Sequence, residues 1–244
     1  MSKQELYCGI GLAVSAVIGY LLGGINWAII LTRIVQRKDI RNQGSGNAGM
    51  TNVLRSVGKL PALLTFVGDF LKCVTAVLLG QLVMRWVMMS PAVLAGSTLF
   101  SSEVFQYARY LAGAACVVGH IFPIYYGFRG GKGIVAAAAM ILLVDWRVFL
   151  LVIATFLVLF IARRIISLAS VVCAAAYPVY TFLVAFFLDY GGSPWAGNKG
   201  HSLAYLLVAT GAALFIGVLV LVKHRANIGR LLRGQEKPII GKGK

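Results

Sequence analysis

Charge is scarce in this sequence. Of its 244 residues only 12% are charged and 59% are hydrophobic, whereas a soluble globular chain carries roughly a quarter charged residues. Apolar runs this extensive leave little surface to face water, so an ordinary soluble domain is excluded and an all-α integral membrane protein is the expected class. Acidic residues are the scarcest of all, seven Asp and Glu against 23 Lys and Arg. That argues against a divalent-metal site built from carboxylates and against a two-carboxylate hydrolase, and no metal or cofactor is expected. The four cysteines, Cys8, Cys73, Cys116 and Cys173, lie far apart in or beside apolar runs without a C-x-x-C pair. They read as small hydrophobes, not as a disulfide or zinc framework. No G-x-S-x-G elbow or Ser-His-Asp order is found. The first apolar run is too long for the core of a cleavable signal peptide and is expected to remain as a span.

What is present is a series of apolar stretches flanked by positive charge. The net charge of +16 sits beside the apolar runs, where it sets topology and meets anionic lipid headgroups; no nucleic-acid partner is expected. Spans are expected at about 6–35, 61–89, 103–126, 134–144, 147–162, 167–188 and 201–222, in a single membrane domain covering 1–244. A short loop holding Pro91 separates the second and third, and a Gly-Gly-Ser-Pro turn lies at 191–194. The stretch 134–162 is apolar except at Asp145, Trp146 and Arg147, too long for one comfortable span and short for two. Charge placement decides for two. With a turn at 145–147 there are seven spans, and one face holds 18 of the 23 Lys and Arg, leaving Lys3, Arg85, Arg109, Arg147 and Lys199 on the other. The positive-inside rule then puts the amino terminus outside and the carboxy terminus in the cytoplasm. A helix of only about 16 Å over 134–144 could not cross alone, so the glycine turn at 130–133 is expected partly inside the bundle at the cytoplasmic leaflet.

Five polar clusters fall on that basic face. The first is Gly44-Ser45-Gly46-Asn47-Ala48-Gly49-Met50-Thr51-Asn52, followed by Arg55; it combines tight turns, hydrogen-bonding side chains and a guanidinium fork for phosphate. The second is Gly68-Asp69-Phe70-Leu71-Lys72, where Asp69 and Lys72 share a helix face and can pair as structural polar groups. The third joins Gly119-His120-Ile121-Phe122-Pro123 to Phe128-Arg129-Gly130-Gly131-Lys132-Gly133. Glycine amides before a helix start, with the Lys132 ammonium, form an anion site, although the Walker A spacing is absent. The fourth is Arg163-Arg164-Ile165-Ile166-Ser167-Leu168-Ala169-Ser170, whose serines could cap a helix or donate to a ligand. The fifth is the basic tail with His224, Asn227, Arg230 and Glu236, which as an amphipathic segment could lie on anionic lipid. Together they describe a pocket for a phosphate compound beside lipid. A transporter of organic phosphate would need polar residues through both leaflets, and a non-catalytic lipid-binding bundle leaves the motifs idle.

These motifs make the sequence similar to the bacterial acylphosphate-dependent glycerol-3-phosphate acyltransferases, the PlsY family, over nearly its whole length. The family's Ser-Gly-Asn-x-Gly-Ala-Thr-Asn-x-x-Arg matches 45–55 with Met50 in place of Ala, and Gly-Asp-x-x-Lys-Gly matches 68–73 with Cys73 in place of the last Gly. Gly-His-x-Phe-Pro and Gly-Gly-Lys-Gly match 119–123 and 130–133 intact, although a Thr that often follows is Ala136 here. Ser-Leu-x-Ser matches 167–170, and Lys-His-x-x-Asn-Ile-x-Arg-Leu-x-x-Gly-x-Glu-x-Lys matches 223–236, its final Lys falling at Pro238. The first span departs most, with Gly24 and Asn26 where the family often has Ser and Pro; those departures are expected to touch packing more than polar chemistry.

The resemblance implies transfer of a fatty acyl group from acyl phosphate to the 1-hydroxyl of sn-glycerol 3-phosphate. The products are lysophosphatidic acid and phosphate, in the first acylation of phospholipid synthesis. It further implies a multi-pass protein of the bacterial cytoplasmic (inner) membrane whose active site faces the cytoplasm. Its partners would be the two substrates, membrane lipid and an acyl-phosphate-producing enzyme. By resemblance the substrate phosphate falls to Ser45, Arg55, Lys132, Asn227 and one of Ser167 or Ser170, with the Gly130 and Gly131 amides and Arg230 also neutralising it. Asn47 would orient the glycerol or the reacting carbonyl. The proton acceptor is His120, His224 or a substrate phosphate. No H-x-x-x-x-D arrangement occurs, which sets this chain apart from the acyl-CoA-using enzymes.

Overall fold

The computed structural model describes residues 3–90, 103–191, 200–236 and 238. The loop with Pro91, the Gly-Gly-Ser-Pro turn beyond Gly191, Lys199 and Lys237 lie outside these. Among the described residues the regular structure is helical, with one isolated bridge between Tyr190 and His201. The chain divides into two compact units, Met1–Val144 and Asp145–Lys244, each described by itself.

In the first unit, helix α1 (Lys3–Gly24) does not run on as one unbroken helix. The chain leaves helical geometry at Ile25 and Asn26, and α2 (Trp27–Gln36) begins with the Asn26 side chain capping the Ile29 amide at 3.1 Å. Asparagine favours such a capping position because its side-chain oxygen satisfies an amide the helix cannot. A short α3 (Met50–Ser56) and the long α4 (Lys59–Met88) follow, then α5 (Glu103–Ile121) and α6 (Ile134–Val144). Helices α1, α4 and α5 pack against one another. The contact faces of α5 carry Ala108, Ala112, Gly113, Cys116 and Gly119, all buried. Small residues let backbones approach closely, which drives helix association where lipid removes the hydrophobic incentive. The approach is tightest at α1: a Cβ on Gly19 would fall 2.3 Å from the Ala112 carbonyl, and one on Gly23 2.1 Å from that of Cys116.

The second unit holds α7 (Trp146–Arg163), α8 (Ile166–Val184), α9 (Leu203–Lys223) and α10 (Arg225–Leu232). The stretch 134–162 is two helices. Asp145 sits in extended geometry between them, and its carboxylate caps the amides of Arg147 and Val148. The same carboxylate pairs with Arg147 at 2.8 Å, and Arg147 also holds Asp189 with both terminal nitrogens, at 2.8 and 2.6 Å. This pins the start of α7 to the end of the helical run that continues α8.

Among the described residues, five helical stretches are long and apolar enough to cross a membrane: Lys3–Gln36, Lys59–Met88, Trp146–Arg163, Ile166–Asp189 and Leu203–Lys223. Ile134–Val144 is apolar but short. The stretch expected as a third span ends as a helix at Ile121 and is not one of the five. It carries Glu103, Gln106 and Arg109, which a helix packed against two others can keep within protein; Arg109 bonds Gln81 on α4 at 3.0 Å.

Gly23→Val forces a branched side chain against backbone that cannot rotate away. It is expected to lower the thermal midpoint of the detergent-solubilised protein by many degrees, since overpacking costs about 1–3 kcal/mol or more. Gly211→Ala, with nothing within 4 Å of the added carbon, is expected to leave the midpoint unchanged or raised. Equal midpoints for the two variants would contradict this packing.

Candidate active site

The polar centre of the first unit is built on α4 and α5. Lys72 is an i, i+3 neighbour of Asp69 and pairs with it at 2.8 Å, the two side chains only 3% and 2% exposed. The Lys72 ammonium also donates to the Ile25 carbonyl at 2.6 Å and meets His120 Nδ1 at 2.9 Å. Asp69 lies 3.4 Å from the same ring nitrogen. The Ile25 carbonyl is available because the chain breaks there between α1 and α2. An ammonium can only donate and its contact with Nδ1 is the shorter of the two, so we assign Nδ1 as the acceptor and the ring proton to Nε2. His120 is thereby oriented as a donor.

The glycine turn wraps this ring. A Cβ on Gly131 would fall 2.2 Å from His120 Nε2 and 2.6 Å from the Ala48 carbonyl, so glycine is the residue that fits between the histidine and the first polar loop. Asn26 reaches that same carbonyl from the other side, at 3.3 Å. The structure therefore brings Asn47, Gly130, Gly131, Lys132, His120, Asp69 and Lys72 into one neighbourhood through Ala48. Gly131 and Gly133 are buried, and Gly130 and Lys132 are half-buried.

Two expectations are corrected here. The amides of Gly130 and Gly131 do not point outward as anion donors; they donate at 3.2 Å to the carbonyls of Ile121 and His120. A turn that folds back onto a helix end consumes these hydrogens, so the glycines supply closeness and not N–H groups. Asn26 is also more than a packing residue, because it caps α2 and ties that cap to the Ser45–Asn47 loop.

The loop itself is organised by Asn52, which is buried. Its amide donates to the carbonyls of Ile40, Gln43 and Asn47 at 3.2, 2.9 and 3.0 Å, and its oxygen accepts from the Ser45 amide at 3.0 Å. These bonds fix the backbone on both sides of Ser45, which remains exposed, while Asn47 is half-buried. Arg55 stands three residues beyond Asn52, exposed on α3. A second brace comes from Arg41, whose Nη1 donates to the carbonyls of Tyr126 at 2.8 Å and Arg129 at 3.4 Å. Arg41 is itself gripped by Asp39, and its guanidinium holds the Asp39 carboxyl well below the usual carboxylate range. A depressed pKa means the contact persists through neutral pH and is lost only as the pH falls through that lowered value. Sequence reasoning gave Asn52 and Arg41 no role. Asn52 stood within the quoted motif, and the one signal for the second brace was that Asp39 is an acid among few.

In the second unit, Ser167, Asn227 and Arg230 converge on a carboxylate. Ser167 Oγ and Asn227 Nδ2 each donate to Glu236 Oε1 at 2.8 Å, and Arg230 Nε donates to Oε2 at 2.6 Å. Burial raises the Glu236 pKa, but the bonds from Arg230, Ser167 and Asn227 outweigh it and the net shift is downward. Helix α8 starts at Ile165 without a side-chain cap, so Ser167 is not a capping serine. Ser170 is buried one turn further on. His224 joins α9 to α10, and its Nδ1 lies 2.8 Å from the Val220 carbonyl. A carbonyl can only accept, so Nδ1 carries a proton.

Asn52→Ala leaves three carbonyls and one amide without their shared partner, at about 1–3 kcal/mol for each that stays buried. The variant is expected to fold, to expose the 37–49 loop to limited proteolysis, and to lose most of its turnover. Wild-type protease resistance in that loop would contradict the role assigned to Asn52.

Residues 13–234 match the family model described as glycerol-3-phosphate acyltransferase. Relatives of that name include one from Rhodospirillum rubrum, 38% identical over 96% of this chain and 93% of its own. Another, from Clostridioides difficile, is 38% identical over 93% and 94%. Among solved structures the fold is similar to the glycerol 3-phosphate form of PlsY (YgiH), an integral membrane glycerol 3-phosphate acyltransferase. Its TM-score is 0.69 at 30% identity, with 94% of this chain and 96% of that one covered. The lysophosphatidic acid form of PlsY gives a TM-score of 0.66 at 29% identity, covering 93% and 94%. The chain belongs to the glycerol-3-phosphate acyltransferase family, and it is of the PlsY type.

Proposed function

We propose that this acyltransferase takes its acyl group from acyl phosphate and delivers it to the 1-hydroxyl of sn-glycerol 3-phosphate, giving lysophosphatidic acid and inorganic phosphate. The observation that carries the reading is the junction at Ala48, where the Ser45–Asn47 loop, the turn bearing Lys132 and the ring of His120 are held together by Asn26 and Gly131. Such a junction offers hydroxyl, amide and cationic groups of the kind that two phosphate compounds need. A relative crystallised in a lysophosphatidic acid form supports the product.

The chemistry asks little acid help. The hydroxyl oxygen of glycerol 3-phosphate forms a bond to the acyl carbon, the bond from that carbon to the phosphate oxygen breaks, and phosphate leaves. Its second pKa near 6 makes it a good leaving group. The larger task is to hold two anions together, which positioning and fixed positive charge accomplish. We assign phosphate contacts to Ser45, Arg55 and Lys132 in the first unit and to Asn227, Arg230 and one of Ser167 or Ser170 in the second. Asn47 orients the glycerol or the carbonyl. We assign the proton to His224, whose Nδ1 is anchored on the Val220 carbonyl, with His120 and the donor phosphate as the alternatives.

We further propose seven spans with the amino terminus outside and the site at the cytoplasmic face of the bacterial inner membrane. The helix break at Asp145 and the side-to-side imbalance of Lys and Arg support this. An enzyme that makes acyl phosphate is the upstream partner.

Purified protein given glycerol 3-phosphate and a long-chain acyl phosphate, without metal or coenzyme A, is expected to release phosphate and form lysophosphatidic acid only when both are present. No release from folded protein would overturn the reading. In the same assay Lys132→Ala is expected to lose roughly 10²–10³ in kcat. His224→Gln is expected to lose at least about 10²-fold; an unchanged kcat would give the proton to the donor phosphate instead.

A further inference from the structure

The second unit presents a contradiction that its hydrogen bonds resolve. Asn227 and Arg230, assigned to substrate phosphate, and Ser167, one of the two serines offered for it, already donate to one anion of the protein itself. A serine hydroxyl has a single proton, and Ser167 gives it to Glu236 Oε1 at 2.8 Å. The same oxygen takes a hydrogen of the Asn227 amide, and the other takes Arg230 Nε. The Glu236 side chain is only 8% exposed here, and the Gln235 amide bonds the Arg230 carbonyl at 2.8 Å, which closes the tail back onto α10. A planar carboxylate receiving a hydroxyl, an amide and a guanidinium is an arrangement that a phosphate could equally occupy, because charge-assisted bonds of this kind are shared by both anions. Two anions cannot hold Ser167 at once, and their mutual repulsion would be strongest at that spot.

We propose that Glu236 is an intramolecular anion that competes with phosphate for Ser167, Asn227 and Arg230, so that phosphate binds only as the tail carboxylate is displaced. This rests on the phosphate-handling role given to that cluster above. While Glu236 is seated, the hydrogens of Ser167 and Asn227 and the Nε hydrogen of Arg230 are committed to it. When phosphate enters, Glu236 leaves and the 234–236 turn moves off α10. The apparent affinity for phosphate is then the intrinsic affinity reduced by the fraction of molecules whose cluster is open. Glu236 is thus a tuning residue that weakens retention of the phosphate product.

The test uses the full-length protein in detergent with inorganic phosphate as the probe. Calorimetry of wild type and Glu236→Gln, which keeps the shape and removes the charge, is expected to show phosphate binding about tenfold tighter in the variant. That gain is expected to vanish when Ser167→Ala is added, since the contested donor is then absent. In the wild type, phosphate is expected to speed hydrogen exchange at the Gln235 amide, a readout that needs no variant to fold. Unchanged or weaker binding in a folded Glu236→Gln variant, or phosphate binding to the wild type with no change in that exchange, would overturn the competition. Turnover of the wild type with both substrates keeps the two readings apart. Turnover without the tighter binding sinks the competition alone, whereas absence of turnover sinks the acyltransferase reading and leaves the binding comparison to judge Glu236.

Discussion

An ammonium group buried among apolar helices must be answered by nearby oxygen and nitrogen, and the first unit is arranged around that demand at Lys72. Removing such an ion from water costs several kcal/mol after relaxation, and ionisable residues at this depth are kept where partners enclose them. Lys72 has three: the Asp69 carboxylate, the Ile25 carbonyl and His120 Nδ1. Each partner brings a constraint of its own. The Ile25 carbonyl is reachable only because the first helix breaks, and the break is stabilised by Asn26 as a cap. Asn26 then reaches Ala48, so the same event that feeds Lys72 also positions the loop holding Ser45 and Asn47. His120, turned by Lys72, sets how closely the glycine turn may approach.

The scarcity of acids takes on meaning in this setting. Each well-placed carboxylate holds a basic side chain: Asp39 holds Arg41 and Arg33, Asp69 holds Lys72, Asp145 and Asp189 hold Arg147, and Glu236 holds Arg230. These acids act as positioners. With a net charge of +16, much positive charge remains for anionic substrate and anionic lipid. The arrangement suits a reaction whose barrier is lowered by holding two anions in line and not by strong acid or base chemistry.

Much of this was legible in the sequence, because apolar run length and the placement of Lys and Arg report directly on helices in lipid. The break at Asp145 followed from three polar residues in an apolar stretch, and the Asp69–Lys72 pair from helical spacing. What escaped was contact made by backbone. The split of the first run at Ile25 has no Pro or charge to announce it; only Asn26, acting as a cap, produces it. The Gly130 and Gly131 amides looked like anion donors, since a glycine turn before a helix gives no sign that its hydrogens bond a preceding helix end. The meeting of Ser167, Asn227 and Arg230 on Glu236 joins residues nearly seventy positions apart, and no local pattern encodes that distance. Asn52 resembled any polar member of a motif until its four bonds were seen together.

The claim on which the account turns is that Lys72 dictates the state of His120. Nitrogen-15 resonance spectroscopy of protein labelled in its histidine rings, with His120 assigned by comparison with a His120→Gln variant, reads that state directly. The account predicts an unprotonated Nδ1 and a protonated Nε2 at neutral pH, with the pattern disturbed in Lys72→Met. A proton on Nδ1 and a lone pair on Nε2, unaffected by loss of Lys72, would contradict it and return His120 to the role of general base.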